Sequence, residues 1–352
     1  MIRTALLQIA DGVLSVGLLK GTIFVGLAVA AVTIARRGSA SVRATVWATA
    51  IVTLVALPVL WKVIPWWQLG VIAFPQPLFN PDSALATMLR VPALGHDTPP
   101  ALWIGIVWLT GALILVANFL RQRIGVELLA RSGEPATDQR LASSVARLRQ
   151  VLGIRRPVRV VYSEFASSPY AFGLRRPTVM LPVEAKGWSD EQLDAILRHE
   201  LAHIVRGDYL LLLLGELVRV LYWFNPAIWF ALAALRRSQD AACDDLVLRG
   251  GVPATQYARH LLAVARSSLP ERAVPRVALP LLGRPELRER VLAILDRASD
   301  RRSVSRESLR WGAAAAIALA VTIASVDLWI CPSTSAAASQ VTVTSEASDL
   351  DS

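Results

Sequence analysis

The chain alternates between long apolar runs and one extended polar stretch. Four runs are long enough to cross a bilayer, which takes about 20 predominantly apolar residues. They cover about residues 12–35, 44–61, 101–120 and 311–330. Lys20 interrupts the first, at a position from which its ammonium can snorkel to the interface. No small-residue cleavage site follows this run, so it is expected to stay as an anchor. Trp311 and Trp329 flank the fourth run as interfacial anchors. A fifth apolar run, residues 209–235, also passes a hydropathy test, but Glu216 and Arg219 break it and Asn225-Pro226 divides it. Asparagine before proline is an N-cap followed by a helix-starting residue. The expectation is a two-helix hairpin with its apolar faces against the core or the membrane surface.

Between the third and fourth runs, the pattern is that of a water-facing domain. A polar helix is expected near residues 138–152, a strand over 157–163 and a second strand over 178–182, with a Gly-Leu-Arg-Arg-Pro turn between them. Ser189 with Gln192 three residues on reads as a capping box that starts another helix. The expected fold class is an α-helical integral membrane protein with four transmembrane helices and a cytoplasmic, mainly helical α+β domain. Its parts are a membrane domain over 1–120 with an outer loop at 62–100, a cytoplasmic domain over 121–310, the fourth span at 311–330, and a short disordered tail at 331–352.

Charge orients this arrangement. Arg36, Arg37 and Arg43 lie between the first two runs, Arg121 and Arg123 follow the third, and Arg301, Arg302, Arg306 and Arg310 precede the fourth. The positive-inside rule puts all of them in the cytoplasm, with both termini outside. The net charge of +10 is then explained by orientation and anionic lipid, with no direct nucleic-acid partner. Cys243 and Cys331 fall on opposite sides of the membrane, which rules out a disulfide between them. Small residues in the first run (Gly17, Gly21, Gly26) leave self-association open, although such glycines more often serve simple packing.

The chemistry sits in His199-Glu200-Leu201-Ala202-His203. Histidines at i and i+4 share a helix face and can reach one zinc ion, while Glu200 is placed to take a proton from a water there. The chain has only four histidines, and this motif uses two. A zinc hydrolase needs a third ligand, and Asp240, downstream of the hairpin, is the candidate. Asp244, one helical turn on, is placed to hold the outer nitrogen of a ligand histidine. Asp208 either orients a ligand or caps the next helix. Cys243 is expected to be a buried packing thiol rather than a fourth ligand, which would fill the position that water needs. His260 is more simply an exposed or core histidine than an oxyanion donor. His96, in the outer loop, cannot reach the site.

Residues 168–182 (Ser-Pro-Tyr-Ala-Phe-Gly-Leu-Arg-Arg-Pro-Thr-Val-Met-Leu-Pro) and residues 199–208 (His-Glu-Leu-Ala-His-Ile-Val-Arg-Gly-Asp) resemble segments of the M56 family of membrane zinc metallopeptidases, of BlaR1/MecR1 type. So do Phe-Asn-Pro-Ala-Ile-Trp at 224–229, Ala-Cys-Asp-Asp at 242–245, and residues 288–296. The resemblance implies a gluzincin-like domain with one Zn2+ per chain held by His199, His203 and Asp240, and Glu200 as the catalytic base. It also implies a winged-helix transcriptional repressor as protein substrate. The strand at Thr178, Val179, Met180 and Leu181 is expected to offer its edge to an extended peptide. Two features depart from the family: Asp240 stands where glutamate is usual, and only residues 331–352 follow the last run, where the transducers carry a penicillin-binding sensor. A separate sensor protein, the outer loop or the spans would then have to deliver the signal. A non-catalytic membrane scaffold and an M48-like housekeeping protease remain as alternatives.

Overall fold

The computed structural model describes residues 18, 20–35, 38–63, 100–267 and 284–325 of the chain. The parts of the outer loop and tail that carry His96 and Cys331 lie outside the described residues, as do Gly17 and the outer ends of the first and fourth expected spans.

The described chain is mostly helical. Three apolar helices come first: α1 (Gly21–Ile34), α2 (Ala40–Val63) and α3 (Pro100–Ser132). Two stretches, Ala40–Leu60 and Leu102–Ser132, are long and apolar enough to cross a membrane by length and composition. The third helix does not stop where the apolar run ends. It continues through Arg121 and Arg123 to Ser132 without a break, so the expected boundary between membrane and cytoplasmic parts falls inside a helix. Leucine, arginine, glutamine and glutamate are good helix formers and carry the helix past Ile124-Gly125-Val126 as far as Gly133. There a Cβ would lie 2.8 Å from the Tyr162 carbonyl oxygen.

Next come β1 (Glu134–Pro135), α4 (Gln139–Val151), β2 (Arg159–Ser163), β3 (Tyr170–Phe172) and β4 (Thr178–Pro182). Asp138 caps α4, its carboxylate accepting from the Arg140 amide at 3.0 Å. The strands form one mixed sheet in the order β1-β2-β4-β3, with β2 and β4 parallel and the outer pairs antiparallel. This order overturns one expectation. The edge of β4 is not available to a peptide, because β2 occupies one side and β3 the other, and residues 178–182 are buried throughout. The outer strand on that side is β3.

After a 3-10 turn (Val183–Gly187) the chain forms α5 (Asp190–Arg206), α6 (Asp208–Leu221), α7 (Pro226–Arg249), α8 (Ala254–Ser267), α9 (Arg284–Leu295) and α10 (Arg306–Ser325). One apolar core joins α4, the sheet, α5, α8 and α9 around Leu141, Leu181, Leu197, Leu201 and Tyr257.

The expected hairpin forms as α6 and α7. Asn225 caps α7 by accepting from the Ala227 amide at 3.0 Å, and Pro226 is its first residue. The hairpin packs beside α5 and also against α1 and α2. Val218, Tyr222, Ile228 and Leu232 share a second core with Phe24, Trp47, Leu54 and Leu57 of α1 and α2. Its tip is tied down by polar bonds as well. The Tyr222 hydroxyl donates to the Leu54 carbonyl at 2.9 Å, Asn225 reaches Thr22 at 3.0 Å, and the Trp108 indole of α3 donates to the Leu221 carbonyl at 3.0 Å. Gly111 makes room for this seat, since a Cβ there would lie 2.5 Å from the Trp223 ring, whereas one on Gly26 would meet nothing within 4 Å. Overpacking costs about 1–3 kcal/mol. Gly111→Leu is therefore expected to lower the unfolding temperature of detergent-purified protein by several degrees, while Gly26→Leu leaves it unchanged. Equal melting of the two variants would show that the hairpin is not seated on α3.

Candidate metal centre

The local sequence makes α5 a well-defined helix. The Ser189 hydroxyl accepts from the Gln192 amide at 3.2 Å, and Asp190 and Glu191 sit in the first turn, where the helix dipole favours negative charge. At the other end the chain leaves the helix at Gly207, with φ of 69° in the left-handed region that glycine tolerates. Leu193, Ile196, Leu197 and Leu201 bury one face in the core. His199 and His203, one turn apart, project together from the flank beside that face, their ring centroids 5.0 Å apart and nearly perpendicular.

Asp240 of α7 reaches the same place. Ligand atoms of His199, His203 and Asp240 lie within 4.8 Å of one another, with His203 Nε2 3.6 Å from Asp240 Oδ1. The level of Asp240 is set by helix packing, because Ala242, two residues on, is buried against Ala40 and Ala44 at the start of α2.

Each histidine is held from behind. His199 Nδ1 lies 3.0 Å from Asp244 Oδ1 and 3.0 Å from the Tyr257 oxygen. His203 Nδ1 lies 2.8 Å from Asp208 Oδ2. An ionised carboxylate only accepts hydrogen bonds, so both rings carry a proton on Nδ1 and leave the Nε2 lone pair free for a metal. Of the two roles expected for Asp208, the contact is to His203; it is the first residue of α6, but Gly207 is the cap position there and no side chain caps that helix. Its other oxygen accepts from Gln239 at 3.2 Å, with Arg206 3.2 Å from Oδ2.

Behind Asp244 lies a group that the motif does not reveal. Arg290 of α9 donates from Nε to Oδ2 at 2.9 Å and from a terminal nitrogen to Oδ1 at 2.7 Å. Tyr257 of α8 donates to Oδ1 at 2.7 Å. Burial alone would raise the Asp244 carboxyl, but the Arg290 guanidinium and His199 outweigh it and hold it well below the usual carboxylate range. Arg290 falls within the 288–296 segment noted above, although its role there is not legible from sequence. Tyr257 carries no local signal beyond its place in an amphipathic helix.

Glu200 is 5% exposed, and among the described residues it has no hydrogen-bond or ion-pair partner. With His199 it lines a small cavity of about 50 Å3, walled by Ser168, Ile196, Leu261 and Arg290 among others. That volume holds a few waters at most. Cys243 is fully buried, with its sulfur 3.4 Å from His203 Nδ1, the nitrogen turned away from Asp240. Burial pushes the thiol up to about 11, which keeps it neutral near pH 7. His260 faces Glu191 at the start of α5, about 12 Å along the helix from His199. It is not part of the cluster.

The donor set suits a metal ion: two imidazoles with free Nε2 atoms and a carboxylate from a second helix, each imidazole backed by a carboxylate. Fold and site together define a membrane-associated protein with a centre able to hold a metal. The chain belongs to the BlaR1 peptidase M56 family, whose model matches residues 18–294. It is 25% identical to regulatory protein BlaR1 of Bacillus licheniformis over 143 residues, covering 41% of this chain and 24% of that protein. It is 22% identical to the methicillin resistance mecR1 protein of Staphylococcus aureus strain Mu50 over 147 residues, covering 41% and 25%. A shorter stretch of 75 residues is 35% identical to the protease HtpX homolog of Desulfotalea psychrophila, covering 20% and 26%. The matched stretches thus span about a quarter of the length of these relatives.

Proposed function

We propose that the chain is a membrane-embedded zinc peptidase that cuts a cytosolic regulatory protein, the winged-helix repressor that its resemblance to the M56 family implies. His199, His203 and Asp240 hold the ion and Glu200 is the general base. The observation that carries this is the pairing of two back-held histidines with a buried carboxylate that has no partner among the described residues. A structural carboxylate at that depth would be expected to be paired. A zinc ion held by these three residues would supply Lewis acidity, polarising a peptide carbonyl and acidifying a neighbouring water. Glu200 takes the proton from that water and returns it to the leaving amine. Asp208 and Asp244 keep the histidine rings in the metal-binding tautomer. The free side of β3, which packs beside α5, replaces β4 as the edge on which a substrate strand aligns.

Four membrane spans with both termini outside remain the topology that the arginine distribution supports. In that frame Thr22 and Leu54 lie near mid-span, so the hairpin tip is re-entrant and the metal cluster sits at the cytoplasmic face of the bilayer.

The stretch similar to the HtpX homolog favours one second reading, a housekeeping membrane protease. Purified protein incubated with a folded winged-helix repressor dimer is expected to yield a single cleavage, located by mass spectrometry and abolished by chelator. Cleavage of unfolded membrane proteins alone would favour the second reading. No cleavage of either would sink the peptidase assignment and promote the non-catalytic scaffold.

A further inference from the structure

A trough of about 930 Å3 runs between the cytoplasmic end of α3, the 173–177 turn and the first turns of α6. A second of about 500 Å3 continues it, with Phe172, Gly173, Leu174 and Tyr209 lining both, as far as His203 and Arg206. Eight arginines line the two, against one carboxylate, Glu127. That carboxylate is already paired with Arg131 at 3.2 Å. Arg206 is spent on Asp208, and Arg123 lies 5.3 Å over the Tyr209 ring. Arg156 and Arg159 donate to the carbonyls of Leu174 and Ala130. Arg155, Arg175 and Arg176 are exposed and have no carboxylate partner among the described residues. So much unneutralised charge in one concave surface favours an anionic occupant.

The position of the trough says which kind. It begins at Ala171 and Phe172 on β3 and at His203 on α5, and leads away from them. The small cavity beside His199 and Glu200 touches the other end of the same strand, at Ser168 and Pro169. Strand β3 therefore bridges two compartments of opposite character. One is tight and largely apolar; the other is broad and basic. A peptide paired along β3 would leave one flank in each.

We infer that the arginine trough binds an acidic segment flanking the cleavage site of the protein substrate, and that it sets specificity on that side of the scissile bond. This rests on the peptidase reading for its purpose, but binding can be measured without catalysis. Full-length Glu200→Ala protein in neutral phosphatidylcholine nanodiscs would be titrated into a fluorescein-labelled extended peptide carrying a run of glutamates, and into its glutamine counterpart. The glutamate peptide is expected to bind more tightly and to weaken steeply with salt. Replacing Arg155, Arg175 and Arg176 by glutamine is expected to weaken it about tenfold, as three exposed charge contacts would. Because these side chains are exposed, the triple variant is expected to fold, and an unchanged unfolding temperature checks this. Equal binding of the two peptides, or of the two proteins, would overturn the inference. So would a triple variant that binds the glutamate peptide normally but loses a preference for phosphatidylglycerol nanodiscs, which would make the trough a lipid site. The expected pattern in a protein that holds no zinc would uphold the trough while the peptidase reading fell.

Discussion

Glu200→Gln is expected to abolish peptide hydrolysis while the protein keeps one zinc per chain. General-base catalysis is worth about a hundredfold to ten-thousandfold, and loss of this carboxylate removes both proton transfers assigned to it. The amide has nearly the same shape, and Glu200 forms no ion pair or hydrogen bond among the described residues. The substitution therefore breaks nothing in the fold, and unfolding temperature should hold within a degree or two. Zinc content by atomic spectroscopy, read beside cleavage of the repressor, checks both halves. Undiminished cleavage would remove Glu200 from the mechanism. Lost zinc would mean that the carboxylate holds the ion rather than activating water.

The second large effect is expected behind the histidines. Asp244→Asn strands the Arg290 guanidinium, whose side chain is 12% exposed, and breaking a buried pair costs about 3–5 kcal/mol. Zinc affinity should fall about 10- to 100-fold as well, because His199 loses the charged, acceptor-only partner that fixes its tautomer and raises its basicity. The pH dependence follows from the lowered Asp244 value. A depressed carboxyl stabilises the fold above its unfolded pKa of 3.8, and that contribution is lost as pH falls through the folded value. The stability gap between the native protein and Asp244→Asn should accordingly be full at neutral pH and shrink only in acid below pH 3.8. Adding Arg290→Met should recover much of the stability but not the zinc affinity. Recovery of both would show that the network is structural and does not position His199.

What could be read from sequence follows the range of the forces involved. Helix α5 announces its start locally, through Ser189, and the hairpin announces its second helix through Asn225-Pro226. The i,i+4 histidines need only helical geometry to share a face. Strand order is different. That β3, three residues long, covers the edge of β4 depends on which segments meet in space, and nothing in residues 178–182 encodes it. The Arg290–Asp244–Tyr257–His199 network draws on α5, α7, α8 and α9, and its members lie up to 91 positions apart in the chain (His199 to Arg290). The run of α3 past its apolar segment was open to propensity reasoning. Hydropathy marks where a membrane ends, which is not where a helix must end.

That unbroken α3 makes the molecule a lever. Thirty-three residues span about 50 Å. The far end is fastened to the sheet, where Ala130 packs with Val161 and Met180, and Arg159 bonds its carbonyl. A tilt of about 10° around the midpoint would swing that end by about 4 Å, close to the spacing between neighbouring strands. In the proposed topology, where α3 crosses the bilayer, a change in bilayer thickness would therefore have a stiff mechanical route to the sheet beside the metal centre.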